Sequence, residues 1–229
     1  MSFVFDTLAI PSVPVVGSHA RFPVHRIYCI GRNYAEHARE MGAEAVSCAQ
    51  PVFFLKPADA IVSNGGEVPY PSATKELHHE VEMVVALQSG GRDIEASRAL
   101  DCVFGYGVGL DLTRRDLQAA AKAKGLPWDI AKGFDASAPV SALRLASEIG
   151  HPSRARLSLR VNGELRQDTN IAEMIFPEAE IIAELSKLFE LKAGDLIFTG
   201  TPAGVGPLAR GDTFRAELEN IAVLEGRIV

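Results

Sequence analysis

EVEMVVALQ, residues 80–88, alternates along its length and is rich in β-branched side chains, the pattern of a strand with two distinct faces. Val81, Met83 and Val85 fall on one face and read as buried, while Glu80 and Glu82 share the other. Working outward, VFGYGVGLDL (103–112) reads as a second buried strand whose glycines permit close backbone approach, and IEASRALDCV (94–103) between them as a helix. Upstream, RIYCIG (26–31) and PVFFLKP (51–57) are short apolar strands. Downstream, RLSLRVNGELRQ (156–167) is a hairpin turning at Asn162-Gly163, the pair a type I′ turn wants. DLIFTG (195–200), TFRAELE (213–219) and AVLEGRIV (222–229) add late strands.

Three further helices interrupt them. NYAEHAREMG (33–42) and RRDLQAAAKAKG (114–125) each begin at a capping-box spacing, Asn33/Glu36 and Thr113/Asp116, with Gly42 and Gly125 as stops. EAEIIAELSKLFELKAG (178–194) is amphipathic, with Gly194 as its expected end. Strands outnumber helices without regular βαβ alternation, so an α+β, mixed β-rich fold is expected over a doubly wound one. Residues 1–25 read as an extended N-terminal arm and 26–229 as the catalytic domain.

The formal net charge of −6 argues against a nucleic-acid or anionic-membrane partner, and no apolar run is long enough to span a bilayer. Cys29, Cys48 and Cys102 are odd in number and lack C-x-x-C spacing, which points to a reducing, cytoplasmic setting.

Two carboxylates sharing a strand face, roughly 6.6 Å apart along the chain, repel each other and need a cation or a proton. Asp111 ends an apolar run where a charge is equally out of place. Three oxygen donors without a Cys/His cluster suit a hard ion, Mg²⁺ or Mn²⁺. The competing reading is a solvent-facing strand with ordinary acids. His37 and Glu40 lie three apart on a short helix, so the carboxylate can raise the basicity of the imidazole and fix its tautomer, unless the two are only a surface pair. His78 and His79 are possible ligands or packing residues. Arg115 and Gln118 share a helix face suited to a substrate carboxylate, while Arg114 points elsewhere into solvent. Lys132, in PWDIAKGFDASAP, either stabilises an enolate oxygen or snorkels. FTGTPAGVG lacks P-loop and dinucleotide spacings, but its amides and Thr201 can cradle a carboxylate.

In order, GRNYAEHAREMG, PVFFLKP, HEVEMVVAL, GYGVGLDLTRRDLQ, GLPWDIAKGFDASAP, VNGELRQ and GDLIFTGTPAGVGPLARGD resemble the fumarylacetoacetate hydrolase family, most closely its short bacterial fumarylpyruvate hydrolases and acylpyruvases. The resemblance runs from about Ile27 to the C-terminus. It implies a β-rich roll, a homodimer, and a Mg²⁺ or Mn²⁺ ion on Glu80, Glu82 and Asp111. It further implies a His37–Glu40 dyad on a lid, a catalytic Lys132, and Arg32, Arg115, Gln118 and Thr201 around a small diketo acid. The implied activity is hydrolysis of an acylpyruvate C–C bond. Oxaloacetate decarboxylation, an isomerase or hydratase of aromatic degradation, and a catalytically inactive binding relative remain alternatives.

Overall fold

The computed structural model describes residues 3–6, 9–40, 50–63 and 66–229. Among these, the largest sheet runs in the order Val52–Lys56, Arg26–Gly31, Asp195–Phe198, Val81–Leu87, Val103–Leu110, Ala138–Val140, Ile61–Ser63, with Arg144–Leu145 also paired to Val103–Leu110. Asp195–Phe198 lies parallel to Arg26–Gly31 and antiparallel to Val81–Leu87, so the sheet is mixed, as expected. A five-stranded sheet carries the 156–170 hairpin, Thr213–Leu218, Ala222–Ile228 and Glu67–Val68.

Both faces of Val81–Leu87 are buried. Val81, Met83, Val85 and Leu87 pack toward the five-stranded sheet and the Glu178–Leu188 helix. Val84 and Ala86 pack on the other side, with Val13, Val15, Phe22 and Val24 from the extended N-terminal segment. Burying each such aliphatic side chain contributes roughly 1.5–3 kcal/mol before entropy is counted. Close packing also explains the glycines of Val103–Leu110. A Cβ on Gly105 would lie 2.2 Å from the Arg144 carbonyl oxygen, and one on Gly109 2.7 Å from the Phe198 ring.

The hairpin turns where the sequence places it, with Asn162 and Gly163 at φ +51° and +83°. Local cap readings fare worse. The first helix spans Ala35–Glu40, and Asn33 does not cap it. Its side-chain amide instead donates to the carbonyls of Phe176 and Thr199 and accepts the Phe176 N–H. Thr113 lies in the two-residue strand Thr113–Arg114, not at a helix cap, and Asp116 accepts from Thr74 and the Lys75 N–H. The Glu178–Leu188 helix ends before Phe189 and not at Gly194, which instead turns the chain into Asp195–Phe198. Residues 94–103 hold only a single α-turn, Ala96–Ala99, followed by a 3-10 turn. The expected stop at Gly42 and the thiol of Cys48 lie outside the described residues, while Cys29 and Cys102 are free thiols. No helix among the described residues is long and apolar enough to cross a membrane.

Candidate active site

Strand register brings the acids together. Val81 pairs with Leu110 and Glu82 with Gly109, so Asp111, one residue past its strand, sits opposite Glu80 and donates its backbone N–H to the Glu80 carbonyl. One carboxylate oxygen from each of Glu80, Glu82 and Asp111 lies within 4.8 Å of the others, and all three side chains are buried. The solvent-facing alternative is thereby excluded.

Cations surround the cluster unevenly. Lys132 Nζ donates to Glu80 (2.8 Å), Asp111 (2.6 Å) and the Thr113 hydroxyl (2.7 Å). Lys56 Nζ lies 2.9 Å from Asp111 Oδ1, and Arg115 pairs with the other oxygen of Glu80. Burial raises the pKa of the Glu80 carboxyl, but Lys132, Arg115 and His37 outweigh it and hold the group below the usual carboxylate range. Among the described residues Glu82 accepts only the Gly200 N–H, at 2.7 Å. Burial, then the charges of Asp111 and Glu80, push its pKa well above the usual range. Asp111 Oδ1 is buried and ion-paired with Lys56, yet receives no hydrogen bond. A buried carboxylate whose surroundings disfavour its charge, and a carboxylate oxygen that has an ion pair but no hydrogen bond among the described residues, in an all-oxygen donor set, fit a hard divalent ion. Burial and then Asp111 and Glu80 act oppositely on Lys132. The carboxylates prevail, and the ammonium is held above its ordinary value.

His37 and the carboxylates open onto one cavity, which Ile30, Arg32, Phe54, Arg115, Gln118, Lys122, Trp128, Lys132 and Thr201 also line. His37 Nδ1 lies 3.2 Å from Glu40 Oε2, and Glu40 accepts the Gly204 N–H from the glycine-rich loop. A carboxylate acceptor keeps the proton on Nδ1 and leaves Nε2 as the base. The expected gain in basicity does not prevail, because burial outweighs Glu80 and Glu40 and lowers the imidazole pKa.

Every residue expected at the site lies in or on this cavity, Glu40 by way of His37. Two expectations change. Arg114 is only partly in solvent: its guanidinium lies over the Phe134 ring, 4.4 Å from the centre, and donates to the Ile130 carbonyl. The Arg115 fork is already engaged by Glu80, Gln118 (2.6 Å) and, at 3.4 Å, His78 Nδ1. His79 Nδ1 donates to the Gln167 amide oxygen, at 3.0 Å, and stands outside the cluster of possible ligands.

Sequence reasoning missed Lys56, Lys122 and Gln167. A lysine closing the apolar VFFLK strand was the available signal for Lys56. Gln167 links Thr201 and Val81, and the bulge between Leu159 and Arg160 that turns it inward leaves no local mark.

The family model described as Fumarylacetoacetate (FAA) hydrolase C-terminal matches residues 26–229. The fumarylpyruvate hydrolase of Pseudomonas aeruginosa, solved with Mn²⁺ and pyruvate, is 46% identical, with a TM-score of 0.97 over 100% of this chain and 99% of that one. The mitochondrial oxaloacetate tautomerase FAHD1 of Bos taurus is 44% identical over 88% of this chain and 90% of that protein. The 2-hydroxyhepta-2,4-diene-1,7-dioate isomerase of Mycobacterium marinum is 33% identical, with a TM-score of 0.79 over 92% of this chain and 76% of that one.

Proposed function

The chain belongs to the fumarylacetoacetate hydrolase family, and from that membership we propose that it hydrolyses the C–C bond of a small acylpyruvate, R–CO–CH₂–CO–COO⁻, to pyruvate and a carboxylate. One observation carries the reading: a histidine–carboxylate pair and a buried triad of carboxylates open onto a single cavity. Likeness to a fumarylpyruvate hydrolase over the whole chain supports it.

Glu80, Glu82 and Asp111 would hold Mg²⁺ or Mn²⁺, which would supply Lewis acidity and positive charge for a 2-keto acid. His37 Nε2 takes a proton from water while Glu40 holds Nδ1–H. The hydroxide adds to the distal carbonyl, the C–C bond breaks, and its electron pair leaves as pyruvate enolate. His37 returns the proton to the methylene carbon. Lys132 has its three donors committed to Glu80, Asp111 and Thr113, so it acts as a charge that holds the carboxylates in place. Gln118, Arg32 and Thr201 orient the substrate.

A second reading, oxaloacetate tautomerisation, is favoured by the likeness to the bovine enzyme. It needs the same proton shuttle and no water attack, so His37 serves both reactions and the products separate them. The test measures pyruvate release from a panel of acylpyruvates beside enol–keto interconversion and decarboxylation of oxaloacetate. Removing the base should cost hydrolysis about 10²–10⁴ in rate in His37→Ala, with Mn²⁺ affinity close to the parent. Acylpyruvate cleavage that survives His37→Ala sinks the water-activation step. Enol–keto interconversion without acylpyruvate cleavage transfers the assignment to tautomerase. A homodimer in the cytoplasm completes the proposal, and a monomer mass in light scattering counts against its assembly.

A further inference from the structure

Four cations line the cavity and face three carboxylates. Two of them, Lys132 and Arg115, are spent on Glu80 and Asp111. Lys122 and Arg32 are not: among the described residues neither has an ion pair. A divalent ion on the carboxylates raises the excess of positive charge on the cavity wall to three. A monoanionic 2-keto acid offsets only one of these charges.

The two idle cations line the same cavity as one indole, that of Trp128. Lys122 closes the Arg115–Lys124 helix toward the cavity and is half-buried, with Nζ 5.1 Å from the centre of the Trp128 ring. Trp128 in turn packs tilted against Phe54, with 5.9 Å between ring centres, and borders Gly31, where a Cβ would lie 3.9 Å from the indole. Arg32 follows Gly31 directly and holds φ at +62°, a left-handed conformation that costs a non-glycine residue free energy. The indole therefore carries an ammonium over its ring and lies against Gly31, beside the apolar surface of Phe54, while the charge of the adjoining Arg32 is felt at Lys122. An ammonium facing an aromatic ring is attracted to it, but the ring leaves its charge uncompensated.

We propose that Lys122, seconded by Arg32, receives a second carboxylate at the far end of the substrate, and so makes the site selective for dianionic 2-keto acids over monoanionic ones of equal length. The inference rests on the reading of the site given above and names the residue that sets its substrate class. The acyl chain runs along Trp128 and Phe54, and the terminal carboxylate closes an ion pair that the protein itself leaves open. Burial and the neighbouring Arg115 lower the Lys122 pKa, and an arriving carboxylate reverses that cost.

The test uses chain-matched ligands that cannot be hydrolysed, so it does not depend on turnover. Calorimetry on the Mn²⁺-loaded enzyme compares 2-oxoadipate with 2-oxohexanoate, and 2-oxosuberate with 2-oxooctanoate. The parent should prefer the dianion in at least one pair by about tenfold or more. Lys122→Met keeps the alkyl stem on the indole and should shrink that ratio by about tenfold, and Lys122→Glu should invert it. A ratio unchanged in both variants overturns the role of Lys122, whether or not the individual affinities move. Failure of all four ligands to bind the loaded enzyme overturns the site reading and this inference together.

Discussion

The strand Asp195–Phe198 has a buried acid at each end, and the two are opposites. At its start Asp195 is fully buried and fully answered: Arg26 donates at 3.1 and 2.8 Å, the Lys192 N–H donates at 2.8 Å, and His25 Nδ1 lies 2.8 Å away. Just past its other end, the Gly200 N–H is the single donor to Glu82 among the described residues, and two further carboxylates crowd it. Burial alone does not mark a functional acid. The distinction lies in what the surroundings leave undone. Asp195 ties the N-terminal approach to the sheet, whereas Glu82 is placed where only an added cation or a proton can settle it.

Exchanging the charge at each end should break this contrast in different observables. Loss of a supporting partner around a metal costs roughly 10–100-fold in affinity, so Glu82→Gln, which removes an anionic ligand itself, should weaken Mn²⁺ binding by at least about a hundredfold in calorimetry while the melting midpoint of the metal-free protein holds or rises. Unchanged Mn²⁺ affinity would remove Glu82 from the ligand set. Asp195→Asn should do the reverse. It forfeits charged hydrogen bonds worth about 2–3 kcal/mol in denaturant unfolding, moderated because Arg26 is partly in water, and leaves Mn²⁺ affinity close to the parent.

A smaller effect sharpens the same comparison. The folded-state pKa of Glu82 is raised, so the stability it contributes is present below the ordinary carboxylate pKa and lost as pH rises through the raised value. The metal-free enzyme should therefore lose about 1.4 kcal/mol of stability per pH unit between the ordinary carboxylate pKa and the raised value, and its melting temperature should fall over that window. Saturating Mn²⁺ should remove the slope, because the ion takes the place of the proton. Calorimetric scans across pH with and without Mn²⁺ check this, and an identical slope in Glu82→Gln would assign it to another group.

How much of this is legible in the sequence follows the range of each interaction. The strands, the Asn162-Gly163 turn and the three acids are written in short-range pattern, because alternation, turn chemistry and a charge set in apolar surroundings act within a few residues. Glu80 and Glu82 are visible for that reason. The caps misled because Asn and Thr serve equally well as long-range pins: Asn33 bonds across 143 and 166 residues, and Thr113 serves Lys132. Lys56 looked like the end of a strand, since its partner Asp111 is 55 positions away and only the sheet brings them together. The basicity of His37 was misjudged for the same reason, because how deeply an imidazole sits is a property of the fold and not of its neighbour at three residues' distance.

Gln167 pairs through its backbone with Leu159 in the hairpin of the smaller sheet, yet among the described residues its side-chain bonds all reach elsewhere. Its amide oxygen takes the Val81 N–H and meets His79, and its nitrogen donates to the Thr201 hydroxyl and the Pro202 carbonyl. One side chain thus spans the seam between the layers and grips both the strand that carries Glu82 and the loop that carries Thr201. It works as a strut loaded from both sides. Drift between the sheets finds no slack there, and the first thing it can displace is the floor on which the substrate rests.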